Sequence, residues 1–238
     1  MITKVLNKIK TLTQKPIKEL DEEYIKWLTF ANAGMLNPGN SYAMDFAIRH
    51  LPTENPIIEI GSFCGLSTNV MSYLLKNHDK NNKIITSDRW IFEGAERGGA
   101  LGDSSIEHSD FRLFVIETFK NNVSFFSKGR LPYPVEVFSD EFFKLWSSEK
   151  RVTDIFNREI QMGGNKSFAY IDGNHSYEYS KRDFQNVSNN RDVGGFILFD
   201  DSSYFSQFGF TKLMKEVKKN ADYELVMKNP NYLFRKLK

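Results

Sequence analysis

The chain has 238 residues, enough for one large α/β domain with additions, and this length does not force a second core. Hydrophobic residues make up 40% and charged residues 26%, which is ordinary for a globular chain and excludes a disordered or membrane-embedded one. The 32 basic residues are balanced by 30 acidic ones to a formal net charge of +2, so no overall field favours nucleic acid or an anionic membrane.

From Met1 to Leu12, Lys4, Lys8 and Lys10 alternate with Val5, Ile9 and Leu12, which predicts a short basic amphipathic helix before Pro16 and not a signal peptide. Such a helix packs on the domain or on another subunit more often than it attaches to a membrane, so a homo-oligomer is one of the expectations. No stretch approaches the roughly 20 apolar residues of a membrane span. Cys64 is the single cysteine, which rules out an intrachain disulfide framework and fits a reducing compartment; the expected location is cytoplasmic. Helical patterns at Asp21 to Ala33 and Ser41 to His50 make residues 1–52 a helical lead-in to a main domain at 53–238.

Short apolar runs then alternate with helical segments, the signature of βαβ units. Strands are expected at Ile57 to Ile60, Lys83 to Ser87, Val135 to Phe138, Ser167 to Ile171 and Gly195 to Phe199. A helix at about Phe210 to Asn220 precedes Tyr223 to Lys228 and Tyr232 to Lys236, which flank the turn Asn229-Pro230-Asn231 as an antiparallel hairpin. The fold class is therefore α/β: a Rossmann-like, doubly wound, mostly parallel seven-stranded sheet with a C-terminal antiparallel hairpin. The stretch 89–134 is too long for a simple crossover and is read as an insert, with a helix at Phe111 to Asn121 and a candidate role as substrate lid. Within it, Trp90, Phe92, Arg97 and Phe111 either hold a substrate or, as aromatic residues in an insert more often do, pack it down. A further extension at 147–166 is expected to contain a helix at Val152 to Glu159.

Ile57-Ile58-Glu59-Ile60-Gly61-Ser62-Phe63-Cys64-Gly65-Leu66-Ser67-Thr68 combines a buried strand, a tight glycine turn and an apolar helix start. In a doubly wound sheet that turn lies at the carboxyl end of the strand, where ligands bind. The Gly-x-x-x-Gly spacing differs from the Gly-x-Gly-x-x-Gly that cradles a pyrophosphate, which disfavours nicotinamide and flavin cofactors. Asp88 ends the second strand, where an acid accepts hydrogen bonds from ribose hydroxyls.

The stretch Glu59-Ile-Gly61-Ser-Phe-Cys-Gly65-Leu-Ser67 resembles the first motif of catechol O-methyltransferase and its class I relatives, which use S-adenosyl-L-methionine. The resemblance implies that Glu59, Gly61, Ser62, Gly65 and Ser67 surround the methionine part of that cofactor, that Asp88 holds its ribose, and that Ser139 lies beside the adenine.

The fourth strand runs into Asp172-Gly173-Asn174-His175 and the fifth into Asp200-Asp201, so three carboxylates and a histidine are expected at one rim of the sheet. Clustered carboxylates repel one another unless a cation neutralises them, and all-oxygen ligation favours Mg²⁺ or another hard divalent ion. The pattern resembles the metal-dependent O-methyltransferases, including the macrocin O-methyltransferase group that acts on sugars. That resemblance makes Asp172, Asp200 and Asp201 the metal ligands and His175 the general base, with a sugar or other polyhydroxylated small molecule as substrate. Ser87-Asp88-Arg89-Trp90-Ile91-Phe92-Glu93-Gly94 is similar to the Asp-x-Phe-x-Gly segment of the sugar group, with two extra residues between Asp88 and Phe92. Two rival readings remain: a metal-independent methyltransferase for a small molecule or protein, in which Asp172 contacts only cofactor, and a non-catalytic Rossmann-like binding protein. Nucleic acid is not an expected partner, since no basic stripe interleaved with aromatics is present.

Overall fold

A computed structural model of the chain describes residues 16–91, 95–203 and 209–238. The basic helix expected before Pro16 and the candidate Phe92 lie outside these residues. The lead-in forms α1 (Glu23–Ala31) and α2 (Pro38–Arg49). The second begins three residues before the expected Ser41, because Asn37 caps it by accepting from Gly39 N at 2.9 Å and Pro38 supplies a helical φ at the first position.

Then come β1 (Ile57–Ile60), α3 (Leu66–Asn77), β2 (Ile84–Ser87), α4 (His108–Phe126), β3 (Tyr133–Val135) and α5 (Ser139–Ser147). After these lie β4 (Arg151–Thr153), β5 (Glu159–Gln161), β6 (Lys166–Ile171), α6 (Tyr177–Ser188) and β7 (Arg191–Phe199). The chain ends in α7 (Phe210–Val217), β8 (Tyr223–Lys228) and β9 (Tyr232–Lys236). Seven strands form one sheet in the order β3-β2-β1-β6-β7-β9-β8. The first five are parallel, and β9 pairs antiparallel with both β7 and β8, as the apolar runs and the Asn229–Asn231 turn imply.

Alternation along β1 divides the core. Ile58 and Ile60 face a cluster built with α5, α6 and α7 through Phe142, Trp146, Val187, Phe210 and Leu213. Ile57 faces the other, where α1, α2 and α3 contribute Leu28, Met44, Ile48, Val70 and Leu74. The lead-in helices thus share the main core. A third cluster joins Cys64 and Trp90 to Val115, Phe119 and Val123 of α4.

Two expectations need correction. The third strand is Tyr133–Val135 and not Val135 to Phe138, because Phe138 already turns into α5 as its N-cap residue. The helix expected at Val152 to Glu159 is instead the two-stranded antiparallel hairpin β4–β5. Its apolar residues mimic helical spacing, but Asp154 Oδ1 accepts from Phe156 N and Arg158 N, both at 2.9 Å, and Asn157 adopts φ +58°, which closes a turn. The helix α5 has no counterpart in the sequence reading. Among the described residues no helix is long and apolar enough to cross a membrane.

Candidate active site

The glycine turn after β1 is held from every side. Gly61 has φ +84°, and a Cβ there would fall 2.0 Å from the carbonyl oxygen of Asp172, so only glycine lets the ends of β1 and β6 come this close. Gly65, at φ +85°, starts α3, and a Cβ would press on Val123 Cγ1 at 3.0 Å and Phe119 Cδ2 at 3.2 Å. The carbonyl of Cys64 accepts from Asn32 Nδ2 at 3.0 Å and Asn122 Nδ2 at 2.8 Å, which ties the turn to the lead-in and to α4.

Asp88 completes this grip. Its Oδ2 accepts from Ser62 N at 2.8 Å and Phe63 N at 2.9 Å, and its Oδ1 accepts from Trp90 N at 2.6 Å. Burial pushes the Asp88 carboxyl up from its ordinary range, and the donating amides oppose that rise. Phe63 and Trp90 both hold positive φ, at 43° and 51°, and the indole Nε1 of Trp90 donates to Phe63 O at 2.9 Å, so strained backbone is fixed by redundant bonds. Trp90 is buried, with its ring 5.3 Å from that of Phe119, and it packs the insert down. Phe111 is partly buried against the same cluster, while Arg97 is exposed.

Glu59 and Ser67 turn inward. Glu59 Oε1 accepts from Ser67 Oγ and Oε2 from Thr68 Oγ1, both at 2.5 Å, so this acid of the glycine motif braces the first turn of α3. Complete burial raises the Glu59 carboxyl to about 7 despite those hydroxyls. Ser139 opens α5 beside Asp183 of α6, whose carboxyl burial pushes up to about 6 while the Ser139 hydroxyl opposes that rise. Asp183 Oδ1 is buried without a hydrogen-bond partner.

At the carboxyl ends of β6 and β7 the structure brings Asp172, His175, Asp200 and Asp201 together. His175 Nε2 lies 3.6 Å from both Asp172 Oδ1 and Asp201 Oδ2. Asp200 lies deeper: its Oδ1 accepts from Asn40 Nδ2 and Asn231 Nδ2 at 2.6 Å each, and its Oδ2 from the Tyr170 hydroxyl at 2.9 Å. The Asp172 carboxyl is held well above the carboxylate range, first by burial and then by Asp200, Asp201 and Glu59. Asp201 is also raised, by burial and by Asp200, while His175 acts against the rise. The amides and the phenol around Asp200 are candidate-site residues that the sequence reading missed, since Asn and Tyr carry no motif there.

Among the described residues no three His, Cys, Asp or Glu side chains already stand as a cage for a metal ion. The chemistry of the donor set nevertheless fits one. Mutually repelling carboxylates supply hard oxygen ligands, and every cause acting on Asp172 disfavours its charged form, which a divalent cation would reverse.

A parallel sheet closed by an antiparallel hairpin, with a glycine turn after β1 and an acid after β2, defines the class I methyltransferase fold. Residues 58–202, more than half of the chain, match the family described as a methyltransferase domain, and the chain belongs to that family. No protein of curated function matches it. Among solved structures it is similar to the O-methyltransferase from Bacillus cereus in complex with SAH, at 13% identity over 100% of both chains and a TM-score of 0.52. A putative caffeoyl-CoA O-methyltransferase from Staphylococcus aureus shares 14% identity over 99% of this chain and 98% of that one, with a TM-score of 0.59. CalS11, described as a TDP-rhamnose 3'-O-methyltransferase of calicheamicin biosynthesis, shares 16% over 82% and 78%, with a TM-score of 0.51. At these identities the likeness is one of fold.

Proposed function

We propose that the chain is an S-adenosylmethionine-dependent O-methyltransferase that binds Mg²⁺ or another hard divalent cation and acts in the cytoplasm on a hydroxyl of a sugar or other polyhydroxylated small molecule. The observation that carries this reading is the convergence of His175 on Asp172 and Asp201 beside the glycine turn. The Gly61–Gly65 backbone and Ser62 border the methionine part of the methyl donor, Asp88 accepts from its ribose, and Ser139 lies by its adenine. Asp172, Asp200 and Asp201 hold the cation, which when bound lowers the pKa of a neighbouring hydroxyl. The acceptor oxygen forms its bond to the methyl carbon as the sulfur–carbon bond breaks, and the hydroxyl proton passes to His175 Nε2. For a sugar acceptor, the support is the likeness of Asp172-Gly173-Asn174-His175 to the sugar-modifying group and the fold shared with CalS11.

The absence of a ready cage among the described residues favours a second reading, metal-independent transfer with Asp172 contacting only the cofactor. One experiment separates the two. Calorimetry with S-adenosylhomocysteine should show binding, and a labelled methyl donor offered with a panel of nucleotide sugars and catechols should show transfer that EDTA abolishes and Mg²⁺ restores. Transfer that survives EDTA favours the second reading, and failure to bind S-adenosylhomocysteine overturns both.

A further inference from the structure

Asn231, in the turn between β8 and β9, is buried at 3% exposure and has its whole carboxamide engaged. Its Nδ2 donates to Asp200 Oδ1 at 2.6 Å and to Asn40 Oδ1 at 3.0 Å. Its Oδ1 accepts from Ser202 N at 3.0 Å and from Ser203 N at 3.1 Å. One side chain therefore spans the segment that carries Asp200 and Asp201, gripping the carboxylate on one side and the two backbone amides just beyond it on the other.

That segment needs holding. Asp201 has φ +44°, a left-handed backbone that a non-glycine residue keeps only where the surroundings over-determine it. The bonds from Asn231 to the two following amides fix this conformation, and the conformation in turn aims Asp201 Oδ2 toward His175 Nε2 at 3.6 Å. Asn40, near the start of α2, supplies the second donor to Asp200 Oδ1 at 2.6 Å and is fully buried. The turn is itself tied to the lead-in: Asn229 Nδ2 donates to Lys18 O at 2.7 Å and Gly39 O at 3.2 Å, and its Oδ1 accepts from Lys18 N at 2.8 Å.

We propose that Asn231 is the positioning residue of the acceptor side of the site: it sets the rotamer of Asp200 and the backbone of Asp201 together, and Asn40 braces the same carboxylate from the lead-in. The inference rests on the metal-dependent reading above. It assigns the C-terminal hairpin turn a role in arranging ligands, although none of its residues is itself a ligand.

The test uses the full chain saturated with S-adenosylhomocysteine and Mn²⁺ as the probe ion, read by electron paramagnetic resonance, together with amide hydrogen exchange at Ser202 and Ser203. In Asn231→Ala, Mn²⁺ affinity should fall at least about ten-fold and exchange at the two amides should speed up, while S-adenosylhomocysteine affinity stays within about two-fold. Asn40→Ala should weaken Mn²⁺ with Ser202 and Ser203 still protected. If Asn231→Ala no longer binds S-adenosylhomocysteine and has therefore not folded, Asn40→Ala decides by the same Mn²⁺ readout. Wild-type Mn²⁺ affinity in the deciding variant overturns the inference alone. A wild-type protein that binds no Mn²⁺ overturns the metal reading, and the inference falls with it.

Discussion

At the scale of single residues, Glu59 shows a motif acid recruited by the fold. Its carboxyl is removed from water between the hydroxyls of Ser67 and Thr68 and titrates near 7, above its ordinary 4.5. The unfolded chain therefore releases this proton first, so the group costs nothing below 4.5, destabilises the folded state progressively as pH rises towards 7, and costs a constant amount above that. Glu59→Gln lacks this titration and should gain stability on the wild type across that window, by at most about 3 kcal/mol. Urea unfolding at a series of pH values checks this, and a difference that does not change with pH refutes it. His175→Ala should lower methyl transfer roughly 10²- to 10⁴-fold with S-adenosylhomocysteine affinity nearly unchanged, and equal turnover would remove His175 from the reaction. Residues of this kind were legible in the sequence because Asp172, His175, Asp200 and Asp201 break abruptly from apolar strands. Their supports were not: Tyr170, Asn40 and Asn231 reach Asp200 across 30, 160 and 31 positions of chain, and only the folded sheet edge brings them together.

At the scale of elements, the two halves of the insert differ. Its length and glycines suggest a lid, and its helix α4 spans 19 residues and buries Val115, Phe119 and Val123 against Cys64 and Trp90, directly under the glycine turn. The helical half is a buttress for that turn. Phe119 is fully buried and meets the ring of Trp90, so Phe119→Ala should cost about 3–5 kcal/mol and, on the proposed cofactor site, also weaken S-adenosylhomocysteine binding at least about ten-fold, although Phe119 packs beneath the turn. Chemical denaturation and calorimetry read the two effects, and unchanged affinity in a folded variant would return α4 to a lid or to a purely peripheral role. The sheet was legible because strands buried on both faces are runs of Ile, Phe, Val and Leu bounded by Gly, Asp or Asn. The β4–β5 hairpin was not. Val152, Ile155, Phe156 and Glu159 fall at helical intervals, and the choice is made by Asp154 capping the turn and by Arg158, whose Nε donates to Asp154 Oδ2 at 2.9 Å. Local hydrogen bonding decided what periodicity left open.

At the scale of the whole molecule, the turns after β1, β2, β6 and β7 share one end of the sheet, whose two faces are covered by separate cores. Asn32, Asn122 and Asp88 hold the backbone of the glycine turn by hydrogen bonds, so a ligand bound there would have little ordering to accomplish. Stabilisation by a ligand should then follow mass action alone. At S-adenosylhomocysteine one hundred times above its Kd, the gain is about 2.7 kcal/mol, and for a chain of this size that corresponds to a rise in Tm on the order of 5–10 °C. Beyond saturation Tm should climb in proportion to the logarithm of ligand concentration, with no change in the cooperativity of unfolding, as differential scanning calorimetry can follow. A second thermal transition that appears only with ligand would mean that a separate part of the chain becomes ordered on binding, and the preformed cofactor end would then be the wrong description of this molecule.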